Sequence, residues 1–147
     1  FLGIEVSRGT GGFFLSQRKY ALDIIADAGL LGCKPLSIPV EQNHTLLSDK
    51  SPFYEEPVRF RRIVGRLVYL CITRPELCYA VHVLSQVMHQ PRKGHWDAVV
   101  RVLRYLKGTP GQGIMLTSES SLRVQIWCDS DWNSCPRTRR SLSAFVV

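Results

Sequence analysis

The sequence predicts an α+β fold in three parts, and three observations predict it. Two short apolar runs joined by Arg8-Gly9-Thr10-Gly11-Gly12 read as a β-hairpin. Three amphipathic stretches separated by Pro75 and Pro91 read as the helices of a small bundle. Beyond Gly108 the apolar period changes from helical to alternating, which reads as the opening strands of an antiparallel sheet.

The hairpin strands are expected over 1–7 and 12–15. Ser16 is placed to cap a helix running to about Ala28, with Ala21, Ile24, Ile25 and Ala28 as its apolar face and Gly29 and Gly32 at its end. Residues 33–57 hold Pro35, Pro39, Pro52 and Pro57 without any period, so they read as a linker or surface loop. Helices are expected next over 58–72, 76–89 and 94–107, and Pro75 suits the first turn of the second. Their stripes are Phe60, Ile63, Val64, Leu67, Leu70 and Cys71; then Leu77, Ala80, Val81, Leu84 and Met88; then Trp96, Val99, Val100, Leu103 and Leu106. Ile114-Met115-Leu116 reads as a short strand. Leu122, Val124, Ile126 and Cys128 alternate with polar neighbours as a half-buried strand, and 141–147 reads as another.

The composition narrows the class. A charge of +7 favours a polyanionic partner, nucleic acid or an anionic surface. No apolar run approaches the ~20 residues of a membrane span. The first residues lack the basic n-region of a signal peptide, so secretion is not expected. Both ends, Phe1-Leu2-Gly3-Ile4 and Ala144-Phe145-Val146-Val147, read as strands cut from something longer. Five cysteines without C-x-x-C spacing argue against a zinc site or a disulfide framework. They read as reduced interior thiols in a cytoplasmic or nuclear compartment.

The helix at 58–72 carries the first candidate site. Opposite its apolar stripe sit Gly65, Arg61, Arg62, Arg66 and Tyr69. A mid-helix glycine costs about 1 kcal/mol relative to alanine, so something should offset it. Close approach of a nucleic-acid backbone, with arginines on the phosphates, is one explanation. A helix–helix crossing with solvated arginines is the other.

Arg61-Arg62-Ile63-Val64-Gly65-Arg66-Leu67-Val68-Tyr69-Leu70 resembles the start of the thumb in the reverse transcriptase of copia-type LTR retrotransposon Pol polyproteins. Thr73-Arg74-Pro75-Glu76-Leu77-Cys78-Tyr79-Ala80-Val81, then Pro91-Arg92-Lys93, His95-Trp96 and Leu103-Arg104-Tyr105-Leu106-Lys107-Gly108-Thr109, resemble the later thumb segments of that family, in the same order. Phe1-Leu2-Gly3-Ile4-Glu5-Val6 resembles the strand after the polymerase palm. The resemblance implies that residues 1–57 end the palm with a primer-grip-like hairpin, helix and linker. It implies a thumb-like bundle over 58–110 and the start of a truncated RNase H-like sheet over 111–147. Arg62, Gly65, Arg66 and Tyr69, with Phe1, Leu2 and Gly3, would then face template–primer, an RNA–DNA hybrid or DNA duplex. The rest of the Pol polyprotein would be the second partner, and no membrane is expected.

Trp127-Cys128-Asp129-Ser130-Asp131-Trp132 and Arg139-Arg140-Ser141-Leu142-Ser143 resemble the first hairpin of the family's RNase H domain. The resemblance makes Asp129, at the end of the strand 122–128, a catalytic carboxylate and Mg²⁺ ligand. Asp131 would be structural. The chemistry needs several carboxylates around two ions roughly 3.5–4 Å apart, so one aspartate alone holds no Mg²⁺ tightly. The expected function is a segment of an RNA-directed DNA polymerase with RNase H, inactive alone because the palm carboxylates and most RNase H carboxylates lie elsewhere. The alternative is a decayed or domesticated basic module without catalysis. The hairpin departs from the family pattern at Asn133, Arg137, Leu142 and Ala144.

The remaining candidates point to packing. Trp96 falls on a core stripe, and His44, His82 and His89 have no metal-ligand spacing. The glycines near residue 10 lack the pattern of a phosphate loop.

Overall fold

Beyond the hairpin a second element, α1 (Arg18–Asp27), joins α2 (Pro57–Leu70), α3 (Cys78–Ser85) and α4 (Lys93–Gly108) around one apolar core. The structure is a computed structural model that describes residues 2–42, 44–119, 123–133 and 139–146. Phe1, Leu122, Arg137 and Val147, named above, and the fifth cysteine, Cys135, lie outside the described residues. No helix among the described residues is long and apolar enough to cross a membrane.

The core stripes form as the periodicity predicts for α2, where Phe60, Ile63, Val64, Leu67 and Leu70 are buried. The α1 face of Ala21, Ile24, Ile25 and Ala28 packs into the same core, against α2 and α4. The bundle therefore has four helices. In α4 the buried line is His95, Val99, Val102, Leu103 and Leu106, while Trp96 and Val100 sit at its margin. Trp96 stacks on Tyr54 with ring centroids 4.8 Å apart.

Helix ends differ from expectation where a side chain has a better partner elsewhere. Ser16 does not cap α1; it ends the second hairpin strand, opposite Gly113. Gln17 takes the cap position without a side-chain bond to the helix, because its Oε1 accepts from the Thr73 hydroxyl at 2.9 Å. At the other end Gly29, at φ +72°, allows Leu30 N to donate to Ile25 O and Gly29 N to Ala26 O. That paired pattern closes a helix and needs the left-handed residue that glycine supplies. The second bundle helix is shorter than 76–89. A 3₁₀ turn at Pro75–Leu77 precedes α3, and beyond Ser85 the chain tightens into bonds from Gln86, Val87 and Met88 to residues three back.

The strand that follows α4 returns to the N-terminal hairpin. Strands β1 (Glu5–Gly9), β2 (Gly12–Ser16) and β3 (Gly113–Thr117) form one antiparallel sheet in that order. Ile114-Met115-Leu116 therefore pairs with the hairpin, not with the strands after it. The ladder needs Gly12, at φ +130°, because a Cβ there would collide with the Leu116 carbonyl oxygen. The first strand starts at Glu5, since Leu2 and Gly3 both have positive φ and turn the chain beforehand.

A separate two-stranded sheet pairs β4 (Trp127–Asp131) with β5 (Leu142–Val146). Of the half-buried strand expected over 122–128, only Trp127 and Cys128 lie in a strand among the described residues. Residues 123–126 are irregular, and Val124 and Ile126 are 73% and 64% exposed. Their alternation marks a face for burial, but no described residue covers it. The thiols are also less interior than expected: Cys33 and Cys71 are half-buried, Cys78 and Cys128 exposed.

Candidate nucleic-acid interface

The outer face of α2 is built around Gly65. It is exposed, and a Cβ placed there meets nothing within 4 Å. Among the described residues no helix crosses at this point, so none of them supplies the internal explanation for a mid-helix glycine. Val58, Arg61, Gly65 and Val68 form one exposed stripe at helical spacing, continued by Ile72 beyond the helix end. Arg62 is exposed beside it and makes no hydrogen bond or ion pair among the described residues. It borders a cleft lined also by Asp27, Glu55 and Glu56.

The other named residues of this face are tied into the fold. Arg66 pairs with Asp27 of α1 and lies 5.0 Å from the Tyr20 ring centroid. It is a tether between α1 and α2 as well as a surface cation. Tyr69 packs edge-on to Tyr20, and its hydroxyl donates to the Leu2 carbonyl. Gly3 sits against the Tyr69 ring, with 3.9 Å between its ideal Cβ and Cε1. The fold thus joins Leu2, Gly3, Tyr69, Arg66 and Gly65 into one continuous surface.

Asp129 lies elsewhere. It occupies the middle of β4, opposite Ala144, rather than a strand end, because the strand begins at Trp127 and runs on to Asp131. It is exposed, and its Oδ1 accepts from the Ser130 amide at 2.9 Å. Asp131, two residues on, shares its face of the strand. Among the described residues no three His, Cys, Asp or Glu side chains are grouped to hold a metal. The donors present do not fit a two-ion site.

Several motif residues do structural work that the sequence pattern did not reveal. Arg74 is buried; it donates to Glu76, to the Thr109 carbonyl at 2.8 Å and to the Thr109 hydroxyl at 2.7 Å, with Tyr105 against its guanidinium. It bolts the α2–α3 elbow to the end of α4. Lys107 donates to the carbonyls of Leu31 and Cys33, and Arg104 to that of Lys34, fixing the loop after α1. His95 is buried, with Nδ1 accepting from the Arg92 amide and Nε2 against the Leu46 carbonyl. Ser51 reaches the first turn of α4, where its hydroxyl accepts from Gly94 N and donates to Asp49. His95, Arg104 and Lys107 are polar residues within α4, while Arg74 and Ser51 lie between helices.

Over all 147 residues the chain is 46% identical to the retrovirus-related Pol polyprotein from transposon RE2 of Arabidopsis thaliana and 42% identical to that from transposon RE1. This chain belongs to the copia-type retrotransposon Pol family. It spans about 10% of those two polyproteins. It is also 46% identical to an uncharacterized mitochondrial protein of Arabidopsis thaliana, AtMg00810, matching the whole of this chain and 61% of that protein. No protein-family model and no solved structure matches it. Within this Pol family chain, the segments quoted for the resemblance supply the bundle core, the elbow bolt and the α2 face.

Proposed function

We propose that this chain is the part of a retrotransposon Pol polyprotein that holds template–primer, an RNA–DNA hybrid or DNA duplex, through the outer face of α2. One observation carries the reading: Gly65 bears the helix cost of glycine at an exposed position where the fold itself has no use for it. A polynucleotide backbone lying along the Val58–Arg61–Gly65–Val68 stripe would use the missing side chain, with Arg61 and Arg62 on phosphates. The Leu2–Gly3 turn, docked on Tyr69, would extend that surface as the primer-grip counterpart. The thumb-like and RNase H-like assignments belong to the same reading. In the polyprotein Asp129 would be one Mg²⁺ ligand among carboxylates contributed from outside this chain.

Anisotropy titration against a labelled RNA–DNA hybrid at several salt concentrations tests the proposal. If two or three phosphates are neutralised, log K falls with log[salt] with a slope of about −2 to −3. Arg62→Ala should reduce the slope by about 1 and leave the melting curve unchanged. A salt-independent titration, or a slope indifferent to Arg62, would refute the assignment. A second reading, a non-enzymatic module, is favoured by the similarity to a relative of which this chain spans 61%. It uses the same surface and differs in catalysis alone.

A further inference from the structure

Three arginines share one side of α2. Arg59, Arg62 and Arg66 stand three and four residues apart, so they form one row along the helix. The end of α1 lies against this row and takes its two outer members. Arg59 Nη2 donates to the Ala28 carbonyl at 3.2 Å, while its Nη1 pairs with Glu56 at 2.9 Å. Arg66 pairs with the Asp27 carboxylate. Arg62, between them, makes no hydrogen bond or ion pair among the described residues, yet it borders the same cleft as Asp27.

Asp27 is poorly placed in its own helix. It is the last residue of α1, where the free carbonyls carry negative partial charge and a carboxylate is disfavoured. The last turn of α1 holds no basic residue to offset it. Carboxylate and helix end act together as one anion, and α2 supplies the cations. The pair is open to water, since Asp27 is exposed and Arg66 only half-buried. An ion pair of that kind holds weakly. Breaking it buries no charge, because Asp27 stays in water. The Tyr20 ring, with its centroid 5.0 Å from the Arg66 guanidinium, keeps that group in place while its N–H edge changes partner.

We propose that Arg62 and Arg66 form a single phosphate subsite, and that Asp27 occupies it in the free chain as a stand-in for the phosphate. The ligand is one phosphodiester of a polynucleotide. This inference rests on the α2 face being the docking surface and adds how that face is regulated. On binding, the phosphate takes the Arg66 guanidinium from Asp27 and meets Arg62 one turn away. A guanidinium can serve either anion, because its fork matches the paired acceptor oxygens of carboxylate and phosphate alike. Asp27 therefore sets the affinity of the face, since each binding event has to displace it.

The full chain and its variants are melted, then titrated with a labelled RNA–DNA hybrid by anisotropy. Asp27→Asn should tighten binding and steepen the salt slope by about 0.9, the share of one phosphate. Its advantage over the unchanged chain should then grow about threefold between about 200 and about 50 mM salt. Asp27→Ser should do the same, and Asp27→Glu, which keeps the charge, should bind as the unchanged chain does. Combining Asp27→Asn with Arg66→Gln should lose the gain. Glu55→Gln removes a charge from the same cleft without freeing Arg66, and should leave the slope where it was. An unchanged slope for Asp27→Asn and Asp27→Ser, or an equal gain from Glu55→Gln, would overturn the proposal and leave the α2 face standing. A chain that binds no hybrid would instead refute the docking surface, and this subsite with it.

Discussion

Replacing Gly65 with alanine moves stability and binding in opposite directions. The new methyl group meets nothing within 4 Å, and the backbone is ordinary right-handed helix, so no strain opposes it. Alanine in a helix interior is about 0.8–1 kcal/mol better than glycine. For a chain of this size that raises the thermal midpoint by about 2–4 °C. On the proposed surface the same methyl holds a docked backbone away from the helix. A misfit of about 1.4 kcal/mol would weaken hybrid binding about tenfold. Thermal melts and anisotropy titrations on the same preparations read both numbers, and Gly65→Leu should weaken binding further at little cost to folding. If Gly65→Ala lowered stability, the open space around Gly65 would be wrong. If it raised stability and left affinity unchanged, α2 would not be the docking face.

Other perturbations test the framework. Gly94→Ala places a Cβ 2.7 Å from Asp49 Oδ2, so it should destabilise the chain by about 1–3 kcal/mol in urea melts. At Asp49 burial alone would raise the carboxyl pKa. The Ser51 hydroxyl and amide, with His95 and Arg92 nearby, outweigh it and hold the pKa below the usual value. Since the folded pKa is depressed, this stabilisation is complete above about pH 4 and is lost as pH falls through the folded value. Asp49→Asn should flatten the acid limb of stability, and an unchanged limb would refute the contact. Arg74→Ala leaves Glu76 and Thr109 without their buried donor and should cost about 3 kcal/mol, with Arg74→Lys failing to restore it because a single ammonium nitrogen cannot reproduce the planar fork that spreads Nε, Nη1 and Nη2 over Glu76 and Thr109. In an intact Pol polyprotein, Asp129→Asn should abolish hybrid cleavage and spare primer extension, while Asp131→Asn does much less; the reverse order would show that Asp131, not Asp129, is the ligand in this hairpin.

Much was legible in the sequence because it is local. Apolar residues three and four apart place α2 and its buried stripe, prolines separate the helices, and the glycine-rich stretch makes the hairpin between β1 and β2. The family, too, is written in linear order. What depended on where the chain returns was not legible. The strand at Gly113–Thr117 carries no mark of its partner, and its pairing with β2 is fixed only once the four helices bring residue 113 back beside residue 16. Arg62 and Arg66 look alike in sequence, yet α1 presents Asp27 to Arg66, while Arg62 makes no such bond among the described residues. A charge's role is set by its partner, and partners come from distant segments. Gly65 combines both levels: the sequence placed a glycine in mid-helix, and only the packing around α2 left it open.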